Sequence, residues 1–209
     1  MNKSCKHIWF WGFIVVSMSV HALAQNSGYQ KECSEHAKEL IKKGWAAQPM
    51  NKRENKADPA KAEALYKEAL KDSPNCRSAR QALVALLLRQ HDYQQANEYN
   101  EALLQQFPDD PSALNFKADL ISVLKRDYTQ ALEIRMKLLK VEGFNDNGSV
   151  FYDIAGTYSL MNKLDESLEY LKLALSRGKG WGNKENAQAN SDFENVRKDG
   201  RFWSLVNQK

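Results

Sequence analysis

The chain has 209 residues, 43% of them hydrophobic, and sets 30 Lys and Arg against 26 Asp and Glu for a formal charge of +4. The charges are interspersed, as in Lys61-Glu63-Lys67-Glu68-Lys71, the pattern of a solvated helix face with local pairs. That balance excludes a dedicated nucleic-acid binder, which needs clustered cations to displace counterions.

At the N-terminus Lys3 and Lys6 precede an apolar run over residues 8–20, which closes on Ala22-Leu23-Ala24. A positive region, an apolar stretch and an Ala-x-Ala ending predict a signal peptide over residues 1–24, cleaved before Gln25. The run of thirteen residues falls short of the roughly 20 that a bilayer core requires. Export is therefore expected, into the bacterial periplasm, with secretion or tethering by an uncleaved signal as the alternatives. In a eukaryotic secretory setting Asn147-Gly148-Ser149 would be a glycosylation acceptor. Cys5 lies within the charged region rather than at the cleavage point, so lipid attachment is not expected. Cleavage removes two lysines and no acid, leaving +2. The longest later apolar stretch, residues 83–88, cannot span a membrane.

Two cysteines follow the signal, Cys33 and Cys76, and an oxidising compartment favours their pairing over two separate buried thiols. The histidines that remain, His36 and His91, supply at most half a metal site with Cys33, so no metal or cofactor is expected.

Along the chain, Asp58-Pro59 reads as an N-cap followed by proline at the first helical position. Before it, Ala37, Leu40 and Ile41 form an apolar face that ends near Gly44-Trp45, and the polar stretch over residues 48–56 reads as a long loop. From here the same residue types recur. Leu70, Leu104, Leu139 and Leu175 follow one another at intervals of 34, 35 and 36. Leu65, Tyr99, Ile134 and Tyr170 precede them, and Ala62, Ala96, Ala131 and Ser167 stand three residues further back. Ala69, Leu103, Leu138 and Ala174 complete a stripe at helical spacing, and such regularity predicts a solenoid.

These segments resemble the tetratricopeptide repeat family. Ala62-Tyr66-Ala69-Pro74 carries the family's back-helix pattern, and Ala96-Asn100-Leu103-Pro108 repeats it with Asn100 at the bulky position. Asp92-Tyr93, Asp127-Tyr128 and Asn162-Lys163-Leu164 stand at the turn between front and back helices. Front helices match through Leu83, Val84 and Leu87, then Leu114, Ala118 and Ile121, then Phe151, Ile154, Ala155 and Tyr158. The resemblance implies an all-α superhelix, a right-handed solenoid of about four helix pairs over residues 25–178. Residues 179–209 resemble the closing segment of bacterial arrays, with Gly200 where the family has proline. Phe193, Val196, Phe202, Trp203 and Leu205 are expected to form a cap of two short helices over the last repeat. Gly178 reads as a helix C-cap, and Lys179-Gly180-Trp181-Gly182 lacks the spacing of a phosphate loop.

The family's stacking also places the starts of successive front helices side by side, which implies a Cys33–Cys76 disulfide. In the family register the concave surface takes Ser78, Gln81, Ala85 and Leu88 from the second unit. It takes Ser112, Asn115, Asp119 and Ser122 from the third, and Ser149, Tyr152, Gly156 and Ser159 from the fourth. This reads as a small, polar, nearly uncharged face suited to an extended peptide or partner helix. The cationic clamp of chaperone-binding relatives is missing, since Ala82, Ala85, Phe116 and Asp153 occupy its positions. No Ser, His and acid arrangement, metal cluster or nucleotide loop appears, and Asp119 and Asp153 read as solvated acids. The expectation is an exported, non-enzymatic adaptor that binds a protein or peptide, with a membrane-tethered assembly subunit or an enzyme of unrecognised site as alternatives.

Overall fold

The computed structural model describes residues 33–48, 58–144, 148–177 and 184–207. The expected signal peptide, residues 49–56 of the long loop, Asn147 of the glycosylation triplet and the Gly-rich stretch over 178–182 lie outside them. Among the described residues the regular structure is helical throughout. The chain folds as an all-α superhelix. Four hairpins follow in order: α1 (Glu35–Ala46) with α2 (Pro59–Asp72), α3 (Arg77–Arg89) with α4 (Tyr93–Gln106), α5 (Pro111–Lys125) with α6 (Tyr128–Leu138), and α7 (Gly148–Leu160) with α8 (Leu164–Arg177). A closing segment adds α9 (Lys184–Ala189), two 3-10 turns (Ser191–Phe193 and Val196–Lys198) and α10 (Gly200–Val206). None of the described helices is long and apolar enough to cross a membrane.

Local chemistry sets the helix boundaries. Asp58, Asp92, Asp110 and Asp127 cap α2, α4, α5 and α6, each accepting a bond from the backbone N–H three residues on, and Ser34 does the same for α1. Each such cap contributes about 1 kcal/mol. The front helices of the second, third and fourth hairpins close on His91, Arg126 and Asn162, left-handed residues with φ of 61°, 53° and 58°. A left-handed residue there reverses the chain into the back helix within two residues.

Each helix packs mainly on its sequence neighbours, and α1 also meets α3 as α3 meets α5. Ala62, Ala96, Ala131 and Ser167 are fully buried where front and back helices cross, because only small side chains fit so close an approach. Four residues on, Tyr66, Asn100, Arg135 and Leu171 fill the same place in successive hairpins, all buried. A Cβ at Gly44 would overlap the Tyr66 ring, so glycine there permits α1 to lie against α2.

The closing segment covers the fourth hairpin. Phe193, Val196 and Phe202 are fully buried against a cluster that includes Phe151, Tyr152, Leu171 and Ala174. Ala187 and Val206 join it, and neither was among the expected cap residues. Trp203, which was, stays 42% exposed. Its indole N–H donates to the Arg197 carbonyl at 2.9 Å, keeping the polar edge of the ring at the surface. At the other end Cys33 precedes α1 and Cys76 precedes α3, with Cα atoms 4.6 Å apart and the two sulfurs in bonding contact.

Candidate partner-binding site

Seven of the twelve expected concave residues line one open concavity. Ala85 and Leu88 of α3, Asn115, Asp119 and Ser122 of α5, and Ser149 and Tyr152 of α7 surround two adjoining cavities of about 610 and 430 Å³. The far wall was not foreseen. It comes from the closing segment, where Asn186, Ala189, Asn190, Ser191 and Asp192 complete the rim.

Of the other five residues, four are engaged within the chain. Ser78 Oγ lies 3.3 Å from the Cys33 sulfur. Gln81 donates to both carboxylate oxygens of Asp110, at 3.0 and 2.9 Å, fastening α3 to the start of α5. Ser112 is half-buried in the first turn of α5, and neither cavity takes it as a wall. Gly156 faces the closing segment, and a Cβ there would stand 3.3 Å from that of Asp192. The Ser159 carbonyl accepts from Asn195 Nδ2 at 2.9 Å, and its hydroxyl accepts from the Val196 N–H at 3.4 Å. The segment therefore lies over the α7 face that the repeat register presents as open.

The concavity is not the nearly uncharged surface expected from the sequence. Arg135 rises from the back helix α6 with only 4% of its surface exposed. Its guanidinium forms an ion pair with Asp119 and donates to Thr157 Oγ1 at 2.5 Å. Thr157 Oγ1 in turn donates to the Asp153 carbonyl at 2.7 Å. Asn115 Nδ2 donates to the Asp153 carboxylate at 3.0 Å, linking α5 to α7. Asp192 arrives from the closing segment, with Asn190 beside it donating to Tyr152 Oη at 3.2 Å. Arg135 Nε and Asn115 Oδ1 are buried with no hydrogen-bond partner.

Asp119 and Asp153 are thus not the solvated acids their helix positions implied. Burial in the concavity pushes Asp119 up to about 7, against the opposing pull of Arg135 and with a further push from Asp153. Asp153 and Asp192 are raised for the same first reason, loss of hydration, again opposed by Arg135. About a third of the Asp119 side chain still meets solvent at the open mouth of the groove. Three carboxylates share one guanidinium, so the set favours holding a proton or taking up a further cation.

Arg135 is the functional residue that sequence reading passed over. Its signal was the repeat itself: aligning Ala131 with Ala62 puts Arg135 in the buried place of Tyr66. Across the groove, His91 Nδ1 lies 2.6 Å from Tyr93 Oη, and Arg89 bonds Gln48 of the first hairpin. Among the described residues no three His, Cys, Asp or Glu side chains converge as metal ligands.

Stacked helical hairpins whose first helices line a shared concavity define an α-solenoid. Residues 56–120 match the tetratricopeptide repeat family, and hairpins of the same form continue on both sides of that stretch. Over that stretch the chain is similar to the tetratricopeptide repeat family, and its helical superhelix is of the same form. Among the curated proteins no sequence matches it. Solved structures share the fold. The 41-end form of MamA from Desulfovibrio magneticus RS-1 is 16% identical with a TM-score of 0.54, covering 83% of this chain and 94% of that one. A thermophilic tetratricopeptide protein of Thermus thermophilus is also 16% identical, with a TM-score of 0.64 over 81% and 86% of the two chains. YrrB, described as having an unusual peptide-binding site, is 12% identical with a TM-score of 0.50 over 89% and 92%.

Proposed function

We propose that this chain is an exported, non-enzymatic scaffold that holds a protein partner by an extended or helical segment laid in the concave groove. The observation that carries this reading is the groove itself: two adjoining cavities walled by three successive front helices and closed at one end by the chain's own tail. Its lining mixes apolar Leu88 and Phe116 with amide and hydroxyl groups, which suits a polypeptide backbone better than a small molecule. No arrangement of acid, base and nucleophile is needed for such a role.

Export follows from the N-terminal pattern of lysines, apolar run and Ala22-Leu23-Ala24, and in an oxidising compartment the contact between Cys33 and Cys76 is expected to be a stable disulfide. Peptides selected by display against the purified protein test the binding reading. They are expected to lose affinity when Ala85→Trp fills the groove and to keep it when the exposed Trp45 is changed to Ala. Binding that survives Ala85→Trp would exclude the groove. Mass spectrometry of protein recovered from its native cell tests export, with Gln25 or its pyroglutamate expected at the mature N-terminus; a retained Met1 would show an uncleaved anchor.

A further inference from the structure

Resting on the disulfide read above, and deepening it, we propose that Cys33 is the sulfur through which this bond exchanges with a small external thiol, while Cys76 leaves as a thiolate that caps α3. An incoming thiolate attacks the Cys33 sulfur, a mixed disulfide forms there, and the electron pair of the broken bond stays on Cys76. A second thiolate attacks the outer sulfur of the adduct and frees Cys33, so the chain's disulfide is reduced and an external one is made. The bond is then a modification site and a clasp that thiols open. Its opening reaches the groove: Gln48 of the first hairpin bonds Tyr66 and Arg89, and Arg89 lines the larger cavity.

The helix starts carry this assignment. Ser34, Asp58, Asp92, Asp110 and Asp127 each accept the backbone N–H three residues on. Cys76 holds the same place before α3 and makes no such bond, because its sulfur is committed to Cys33. The N–H it would accept belongs to Ala79, a fully buried residue, and is left without a side-chain acceptor. Freeing the Cys76 sulfur supplies one. The thirteen residues of α3 add the positive end of their dipole, and Ser78 Oγ, 3.7 Å from that sulfur, adds a hydroxyl. Burial opposes a thiolate, but these donors converge on a single atom and outweigh it. The charged groups around it are already engaged: Arg77 pairs with Asp110 at 2.9 Å, Arg80 donates to the Pro74 carbonyl at 2.7 Å, and Asp72 accepts from Ser34 and Ser73 with His36 acting on it. Access selects the other sulfur for attack. Cys76 is fully buried, whereas Cys33 keeps 8% of its surface exposed just before α1 begins. Exchange is faster when the departing sulfur has the more stable thiolate, so both effects point the same way.

The test uses the full exported protein, purified without reductant, exposed briefly to glutathione, quenched in acid, alkylated in denaturant and mapped by mass spectrometry. Glutathione is expected on Cys33 and the alkyl group on Cys76, in at least about tenfold excess over the reverse adduct. A second measurement compares the single-thiol variants Cys33→Ser and Cys76→Ser, each first shown by circular dichroism to keep its helix content. Followed by thiolate absorbance, Cys76 in Cys33→Ser should titrate below about 7.5, and Cys33 in Cys76→Ser near the ordinary value of about 8.5. Adding Ser78→Ala to Cys33→Ser should raise the Cys76 value. Adduct mainly on Cys76, equal adduct on both, or no adduct at all overturns the assignment. So does a Cys76 thiol that titrates at or above Cys33. Free thiols in the untreated protein would overturn the disulfide and this inference together, whereas an intact bond with the wrong adduct overturns the inference alone.

Discussion

At the N-terminal end of the array, α1 turns Glu35, Lys38, Glu39, Lys42 and Lys43 to solvent; at the C-terminal end, the last hairpin is covered by Phe193, Val196 and Phe202. A solenoid leaves one face of each end hairpin without a neighbour, and the two ends meet this differently. The first end has a polar outer face of its own, and its ion pairs, Lys38 with Glu35 and Lys43 with Glu39, are exposed and contribute little. What fixes α1 to the array is a few point constraints: Gly44 against Tyr66 and Cys33 against Cys76. The last end is fixed by distributed apolar burial. One should therefore respond to redox conditions and to single small substitutions, the other to loss of aromatic volume.

The largest expected effect is at the C-terminal end. Phe193 and Phe202 are fully buried with ring centroids 6.3 Å apart, and Phe193 meets Tyr152 edge-on at 5.0 Å. Removing one buried phenylalanine costs about 3 to 5 kcal/mol, and two in contact are not additive. Phe193→Ala with Phe202→Ala should cost more than about 5 kcal/mol and release α7 and α8 before the rest. Hydrogen exchange resolved by segment checks this, and uniform loss of protection along the chain would show that the two ends are not separate.

Next comes the proposed disulfide between Cys33 and Cys76. A loop of 43 residues closed in the unfolded chain stabilises by about 4 kcal/mol on the chain-entropy account. Cys33→Ser, or reductant on the unaltered protein, should lower the unfolding free energy measured in urea by that amount, with early exchange confined to α1 and α2. The double phenylalanine variant should keep its response to reductant. Gly44→Ala follows, at about 1 to 3 kcal/mol, since a methyl group there presses into a buried ring that has nowhere to move. Pairing it with Tyr66→Leu should recover part of the loss, and a purely additive double variant would show that the ring is not the cause.

Which of these features could be read from the chain follows their physics. Caps at Asp58, Asp92 and Asp127 and the small residues Ala62, Ala96 and Ala131 are local or periodic, and were legible as helix starts and crossings. The covering role of Phe193, Val196 and Phe202 was legible because buried aromatics in a terminal segment have few other uses. Gly44 was not, because its meaning depends on a ring from the next helix. The charge of the groove was missed for two reasons. Arg135 belongs to a back helix, outside the register of concave positions, and Asp192 belongs to the tail, which was read as a cover rather than as a wall. Counting front-helix residues alone therefore returned a neutral surface.

The smallest expected effect tests whether that charge belongs to the C-terminal half. Unfolded aspartates titrate at about 3.9, whereas Asp119, Asp153 and Asp192 are raised in the folded chain, Asp119 to about 7. Between those values the folded state holds protons that the unfolded state has released. Stability contributed by these groups is therefore fully present below the unfolded value and is lost as pH rises through the folded one. The rise at Asp119 spans about three tenfold steps of about 1.4 kcal/mol each, and because a third of that side chain meets solvent at the open groove most of it is screened, so about 1 kcal/mol is expected across the set. Urea midpoints measured from about pH 4 to about pH 7.5 should fall with pH from this source, and Asp192→Asn should flatten the slope without altering the response to reductant. Because Asp192 sits on the closing segment and Asp119 and Asp153 on α5 and α7, segment-resolved exchange should place the change there and leave α1 and α2 untouched. An unchanged slope in Asp192→Asn would mean that Arg135 neutralises the set fully, and would detach the tail from the electrostatics of the groove.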